Sequence, residues 1–239
     1  MQQLVDKLVL WIKEKVSAAG LEGVVFGISG GLDSSVVAVL SCRALKKSTL
    51  GLIMPCGSCQ EDEQHALAVA NKFSIPTRTI LLDDIYDTLL EKLIIYKNQP
   101  INQKTRGNLK ARLRMITLYF HANQLRYLVV GSGNRSELEV GYFTKHGDGS
   151  VDILPLGNLV KRQVKELAVF LEIPQEIIEK PPSAGLWKGQ TDQDELGLSY
   201  DELDAYISGC KVSSIVKDKI KNMATSSDHK RKSPPVPDF

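Results

Sequence analysis

The sequence predicts an α/β fold, a Rossmann-like doubly wound parallel sheet with helices on both faces. Three observations carry that prediction. Short apolar runs alternate along the chain with longer amphipathic stretches. The run Val24-Val25-Phe26-Gly27-Ile28 is continuously apolar, as in a strand buried on both faces. A glycine-rich turn then leads straight from that run into a helical stretch. Strands separated by helices imply right-handed crossovers and a parallel sheet.

The elements follow in order. Val5, Leu8, Val9, Ile12 and Val16 recur at helical spacing, giving an amphipathic helix over residues 3–18 that Gly20 and Gly23 end. After the first strand, residues 33–46 read as a helix, 49–54 as a second strand, 61–73 as a helix and 78–82 as a third strand. A helix over 83–95 follows, with Asp83 or Asp84 able to cap it. Leu109, Leu113, Ile116 and Phe120 then form one helical stripe. At about 100° per residue, Lys110 and Arg114 share one flank of that helix, and Arg112 lies on the other beside Tyr119. An arginine there either snorkels to water or faces a partner subunit or ligand. Residues 127–130 form the next strand, closed by Gly131. Three prolines in the last six residues make the tail from about 229 to 239 irregular.

Composition narrows the function. The 239 residues are 43% hydrophobic and 24% charged, enough for one domain to bury a core over 1–239 without disulfides. A formal charge of +2 does not favour a nucleic-acid binder. No apolar run is long enough for a membrane span, and the N-terminal stretch MQQLVDKLVLWIKEK mixes charge into its apolar residues unlike a signal peptide. The four cysteines (42, 56, 59 and 210) fit reducing, cytoplasmic usage. Cys56-Gly-Ser-Cys59 has no second pair to complete a metal site and reads as a chance pairing in a loop.

The chemistry concentrates in Ser29-Gly30-Gly31-Leu32-Asp33-Ser34-Ser35, between buried strand and helix. Paired glycines let the backbone N–H groups approach an anion, the helix N-terminus adds its dipole, and the serines add hydroxyls. The spacing is neither that of the P-loop nor that of the dinucleotide fingerprint. With no lysine in the loop, Asp33 reads as the ligand of a metal that offsets phosphate charge; the plainer reading is a helix cap.

This loop resembles the S-G-G-x-D-S signature of ATP pyrophosphatases, which cleave ATP between its α and β phosphates. The blocks 131–156, Leu159-Val-Lys161, Pro182 to Asp192, Glu195-Leu-Gly, Asp228-His-Lys-Arg231 and Ala111-Arg112-Leu-Arg-Met extend the likeness over nearly the whole chain. Together they resemble ammonia-dependent NAD synthetases, of the adenine nucleotide alpha-hydrolase-like fold. The resemblance implies amidation of deamido-NAD by ammonia, with ATP as co-substrate, Mg²⁺ as cofactor and an acyl-adenylate intermediate. It implies that Gly27, Ile28, Ser29, Gly30, Gly31, Leu32, Asp33 and Ser34 hold ATP with Ser132, Lys161 and Ser183. Asp33 and Glu137 would ligate Mg²⁺. Arg112, Lys145, Asp152, His229 and Lys230 would bind deamido-NAD, while Asp148 and Lys161 would serve catalysis. Ser132 stands where threonine is common, keeping the hydroxyl and losing a methyl. The resemblance further implies a homodimer with deamido-NAD near the two-fold, and on the residues Arg112 beside the stripe of Leu109, Leu113, Ile116 and Phe120 suits that interface. On the residues alone, Lys145 to Lys161 is a mixed-charge segment that also suits a solvated loop, and His229-Lys-Arg-Lys also suits a free tail. A tRNA-directed pyrophosphatase carrying sulfur on Cys56 and Cys59 would want a more basic surface. A nucleotide-sensing module would leave Glu137, Lys145, Asp148 and Lys161 without a task.

Overall fold

The computed structural model describes residues 1–94 and 100–239. In chain order the elements are α1 (Gln2–Ala18), β1 (Gly23–Gly27), α2 (Leu32–Leu45), β2 (Thr49–Ile53), α3 (Gln60–Lys72), β3 (Thr77–Thr79), α4 (Asp83–Leu93) and α5 (Gln103–Leu125). They continue as β4 (Tyr127–Val130), α6 (Arg135–Val140), α7 (Lys161–Phe170), α8 (Gln175–Glu179), α9 (Asp192–Leu196), α10 (Tyr200–Ile207) and α11 (Ser214–Ser226), with a 3₁₀ turn at Asp228–Lys230. The strands are parallel in the order β3-β2-β1-β4, and a parallel bridge from Val130 to Ile153 lengthens the β4 edge.

The unbroken apolar run of β1 has a physical cause, since both faces are covered. Val24 and Phe26 point into a core with α1, α2, α3 and α7, whereas Val25 points into a second core with α4 and α5. β4 divides likewise, Leu128 and Val130 to one side and Val129 to the other. A third apolar cluster joins α6, α9, α10 and α11 through Val140, Leu196, Leu203, Val216 and Ile220.

Most predicted elements stand within a residue or two of their expected bounds, and the differences are local. β3 ends at Thr79, because beyond it Ile80 and Leu82 pair their N–H groups with Ile53 and Pro55 without extending a regular strand. Neither Asp83 nor Asp84 caps α4; the cap position falls to Leu82, and the Asp83 carboxylate accepts from the Gly57 N–H at 2.6 Å instead. The last residue expected in that helix, Ile95, lies outside the described residues. The tail is irregular only after the 3₁₀ turn, which hydrogen bonds hold against the residues following α6. Gly23 opens β1 where any Cβ would meet the Ser48 carbonyl oxygen and the Tyr127 ring. Gly23→Ala is therefore expected to cost about 1–3 kcal/mol by overpacking, read as a lower urea midpoint at unchanged m-value.

Candidate active site

The strand order reverses between β1 and β4, where ligands collect beyond the carboxyl ends of an open α/β sheet. The loop after β1 runs directly into α2. Gly30 has φ +76°, and a Cβ on it would run into the Asp62 backbone of α3, so glycine alone fits this approach. The Ser34 hydroxyl lies 3.0 Å from the Gly31 carbonyl oxygen and 2.9 Å from the Ser29 hydroxyl, and Ser35 donates to the Gly31 carbonyl at 2.8 Å. These bonds shape the loop while the N–H groups of Leu32, Asp33 and Ser34 find no acceptor among the described residues. An array of free N–H groups at a helix N-terminus suits phosphate oxygens. Gly31, not Asp33, occupies the cap position of α2, which leaves the Asp33 carboxylate free of capping.

The loop after β4 supplies the second carboxylate. Asn134 caps α6 in a reciprocal box: its side chain accepts from the Glu137 N–H at 3.0 Å, and Glu137 Oε2 accepts from the Asn134 N–H at 3.1 Å. Asn134 Nδ2 also donates to Asp33 Oδ1 at 3.0 Å, tying the two loops together. Glu137 Oε1 is thereby left to face Lys161 Nζ at 3.5 Å, and Lys161 pairs with Asp33 as well.

Lys161 is the first residue of α7 and is held from behind. Its N–H donates to Ser136 Oγ at 3.1 Å and to Asp204 Oδ1 at 3.3 Å, and the Arg162 N–H donates to Asp204 Oδ2 at 2.8 Å. A carboxylate at a helix N-terminus satisfies orphan N–H groups and opposes the dipole's positive end. The Lys161 ammonium also lies 5.1 Å from the Tyr200 ring centroid. Tyr200 donates within reach of Asp192 (2.8 Å) and Glu137 (3.3 Å), and Tyr142 within reach of Asp192 (3.0 Å) and Glu195 (2.7 Å).

Burial pushes the Glu137 carboxyl up, to about 8, against the pull of Lys161. Burial also raises Asp192. Burial works against the Lys161 charge, yet Asp33 and Glu137 outweigh it and hold the ammonium above its ordinary lysine value. Three carboxyl groups (Asp33, Glu137 and Asp192) thus crowd about one ammonium, and the raised Glu137 and Asp192 are the sign of that crowding, which a divalent cation would relieve by favouring their ionised forms. Two carboxylates beside a phosphate cradle are the donor set Mg²⁺ takes, with substrate oxygens and water completing its shell. Asp33 and Glu137 fit that ion.

These groups open on a cleft of about 1800 Å³. It exceeds the usual range for one small ligand, about 300–1,000 Å³, and has room for two nucleotides. Gly27, Ile28, Ser29, Gly31, Leu32, Asp33, Ser34, Ser132, Glu137, Lys161 and Ser183 line it, as do Arg112, Lys145, Asp148, His229 and Lys230. Gly30 shapes the loop without lining the cleft, and Asp152 stands apart from it. The Asp152 carboxylate accepts from the Val129 N–H at 2.7 Å and the Tyr119 hydroxyl at 2.9 Å, so it pins β4 to α5 on the outer side of the sheet.

The substrate-binding cations expected from the sequence are engaged with backbone carbonyls. Lys145 Nζ donates to the His229 carbonyl at 2.8 Å, and Lys230 Nζ to those of Gly141 and Phe143, both at 2.8 Å. Arg112 donates to the Lys145 carbonyl at 3.2 and 3.3 Å. The residues from 181 to 192 fold over the cleft: Lys110 Nζ donates to the Leu186 carbonyl at 3.0 Å, and the Leu186 N–H to Gln190 Oε1 at 2.8 Å. Asp148 opens onto the cleft and is exposed there. Desolvation there raises its carboxyl above the ordinary Asp value, against N–H donation from Thr144 at 2.9 Å.

A phosphate cradle beside two carboxylates and a lysine, at the switch point of a parallel sheet, defines a nucleotide-binding protein built to bind and activate a triphosphate. The family model described as NAD synthase matches residues 4–234. An NH(3)-dependent NAD(+) synthetase of Carboxydothermus hydrogenoformans is 45% identical over 236 residues, 99% of this chain and 97% of that protein. Among solved structures, that of NMN synthetase from Francisella tularensis is similar with a TM-score of 0.94 at 40% identity, covering 100% of this chain and 98% of that one. An NH3-dependent NAD synthetase from Campylobacter jejuni gives 0.83 at 28% identity, with 99% of each chain covered. The chain belongs to the NAD synthase family.

The raised Asp148 carboxyl sets a sign. Above the ordinary Asp value the fold disfavours the charge it must accept, so that residue's contribution to stability falls as pH rises through the shifted value. Asn keeps the oxygen that accepts from Thr144 but cannot ionise. Asp148→Asn should therefore melt at or above the wild-type temperature at pH 8, the gap closing toward pH 4, while losing most turnover. Thermal scans at both values, with a turnover assay, check it.

Proposed function

We propose that the chain is an ammonia-dependent NAD synthetase, a ligase that amidates deamido-NAD with ATP and releases AMP and pyrophosphate. The observation that carries this reading is the meeting of Asp33, Glu137 and Lys161 beside the 29–34 loop, in a cleft that also takes in Asp148, Arg112 and Lys145. The family membership and the names of its relatives support it.

The nicotinate carboxylate is a poor acyl donor, because its leaving group would be oxide. Its oxygen attacks the ATP α-phosphorus, and the bond to the β-phosphate breaks. The N–H groups of Leu32 to Ser34, with the Ser29 and Ser34 hydroxyls, hold the phosphates in line. Asp33 and Glu137 would hold Mg²⁺, which when bound would supply charge neutralisation for the pyrophosphate. Lys161 adds a fixed positive charge close to the α-phosphate, where charge builds. Ammonia then attacks the activated carbonyl carbon and AMP leaves. Asp148 receives the ammonium ion and takes its proton, since only neutral ammonia is nucleophilic. Ser132 and Ser183 hydrogen-bond ATP, and Arg112, Lys145, His229 and Lys230 face the anionic dinucleotide. Asp152, held by the Val129 N–H and Tyr119 outside this cleft, belongs to the dinucleotide site only on the family resemblance.

The chain acts as a homodimer in the cytoplasm on this reading. Support for the dimer comes from the outer face of α5, where Arg112, Ile116 and Phe120 stand one turn apart; Ile116 is 66% and Phe120 63% exposed. α4 and the residues leading into it add exposed Leu81, Ile85 and Leu93. Leu113 is not part of that face: it is 7% exposed and packs in the chain's own core, because it lies toward the sheet side of the helix. The reducing compartment is supported by free thiols, with Cys59 and Cys210 exposed. No helix among the described residues is long and apolar enough to cross a membrane.

The likeness to an NMN synthetase, at a TM-score of 0.94, favours a second reading: the same amidation on the mononucleotide of nicotinate. Product analysis with ATP, Mg²⁺ and ammonium decides, run with deamido-NAD and with nicotinate mononucleotide in parallel. AMP, pyrophosphate and NAD in step, with the dinucleotide favoured in kcat/KM, are expected. A preference for the mononucleotide selects the second reading, and no AMP with either substrate refutes both. Glutamine in place of ammonium should give no turnover, as the NH3-dependent relatives lead one to expect. For the dimer, Ile116→Asp with Phe120→Asp should yield monomers by sedimentation and lose turnover, whereas a monomeric active wild type would contradict the assembly.

A further inference from the structure

The cations that line the cleft differ in what holds them. Lys161 pairs with Asp33 and Glu137, and Lys180 with Asp62. Lys145, Lys230 and Arg112 donate to carbonyl oxygens. Arg114 differs in being half-buried and held by two separate acceptors, where Arg112 is exposed and rests on one. It projects from the inner side of α5 to the end of β2, where Nε donates to the Met54 carbonyl at 3.1 Å and Nη2 to the Ser58 hydroxyl at 3.1 Å. Both acceptors are neutral. Among the described residues Arg114 forms no ion pair, and its Nη1 has no hydrogen-bond partner. Desolvation pulls the guanidinium below its ordinary value, with Cys56, Asp62, Asp148 and Asp83 only partly opposing from a distance.

A guanidinium that is desolvated, fixed at two of its three nitrogens and open to the cleft at the third is a preorganised anion receptor. Its position matters too. Met54 follows β2, and its terminal methyl lies within 3.4 Å of where a Cβ on Gly27 would stand, so Arg114 reaches the sheet edge beside the phosphate loop.

Resting on the proposed function, we propose that Arg114 is a further substrate-binding residue, whose free Nη1 receives a phosphate oxygen of a bound nucleotide. ATP and the nicotinate nucleotide both carry such an oxygen, so the experiment separates them. Affinities are measured calorimetrically, with Mg²⁺, for a non-hydrolysable α,β-methylene analogue of ATP and separately for deamido-NAD. Wild type, Arg114→Gln and Arg114→Lys are compared, each with its melting temperature. Gln can still donate to Met54 but carries no charge, and Lys keeps the charge without the fork. Arg114→Gln should weaken one nucleotide at least tenfold while changing the other less than twofold, with Lys recovering part of the loss. The nucleotide affected identifies the source of the oxygen. Any smaller difference between the two ligands overturns the proposal and leaves Arg114 as a strap between α5 and β2. Wild-type turnover is measured in the same preparations, so failure of the proposed reaction and failure of this assignment are told apart.

Discussion

Lys161 between Asp33 and Glu137 is the contact on which the site depends, because it joins three parts of the chain that no local rule brings together. Asp33 follows β1, Glu137 follows β4, and Lys161 opens α7. Each side chain is largely enclosed, with 11% of Lys161, 14% of Asp33 and 16% of Glu137 exposed. Removing one partner from a buried pair leaves an uncompensated charge and costs about 3–5 kcal/mol. The arrangement therefore ties the stability of the sheet's carboxyl edge to residues placed there for chemistry. It also sets the electrostatic state of the cleft. Lys161 alone does not hold the clustered carboxyls in their charged forms, since Glu137 and Asp192 stay raised, and a bound metal would favour their ionisation.

The positions of these three residues come from secondary-structure ends, which is why the geometry can be tight. Asp33 lies in the first turn of α2, whose start is shaped by serine hydroxyls on the Gly31 carbonyl. Glu137 is the third residue of α6 and half of its capping box. Lys161 begins α7, whose N-terminus rests on Asp204 of α10. Helix ends carry unpaired N–H groups that must be satisfied, and satisfying them fixes the residues concerned. Glu137 shows the economy of this: one carboxylate oxygen closes the cap and the other faces the cation.

The fold was largely readable in the sequence because its signals are local. The β1 run and the glycine pair mark strand and turn, and Val5 to Val16 mark a helix by spacing alone. The phosphate loop was readable for the same reason, since one short segment holds all its parts. The errors arose where context decides. Asp83 sits at a plausible cap but is drawn to the Gly57 N–H, a contact 26 residues away in sequence. Leu113 shares a stripe with Ile116 and Phe120 in sequence, yet the sheet lies nearer its side of the helix and takes it into the core. Asn134-x-x-Glu137 carries the spacing of a capping box, a local signal for the start of α6. Tyr200, Asp192, Ser136 and Asp204 had no such signature, because each acts through a partner remote in the chain.

α5 shows how one helix serves two surfaces and why a periodic stripe understates it. Its inner side packs Leu113, Met115, Leu118 and Ala122 against β1 and β4, sends Arg114 into the cleft and ties Lys110 to the Leu186 carbonyl. Its outer side presents Arg112, Ile116 and Phe120 to solvent, while Tyr119 reaches Asp152 and so holds β4 from without. The two arginines are two positions apart, about 200° around the helix, so they cannot share a face. Arg114 gains its fixed orientation from the end of β2, whereas Arg112 has only the carbonyl of Lys145. A second subunit docked on Ile116 and Phe120 would enclose Arg112 and Lys145 and strengthen their attraction for an anion by lowering the local dielectric. The inner arginine is preorganised by the fold; the outer one, among the described residues, rests on the Lys145 carbonyl alone.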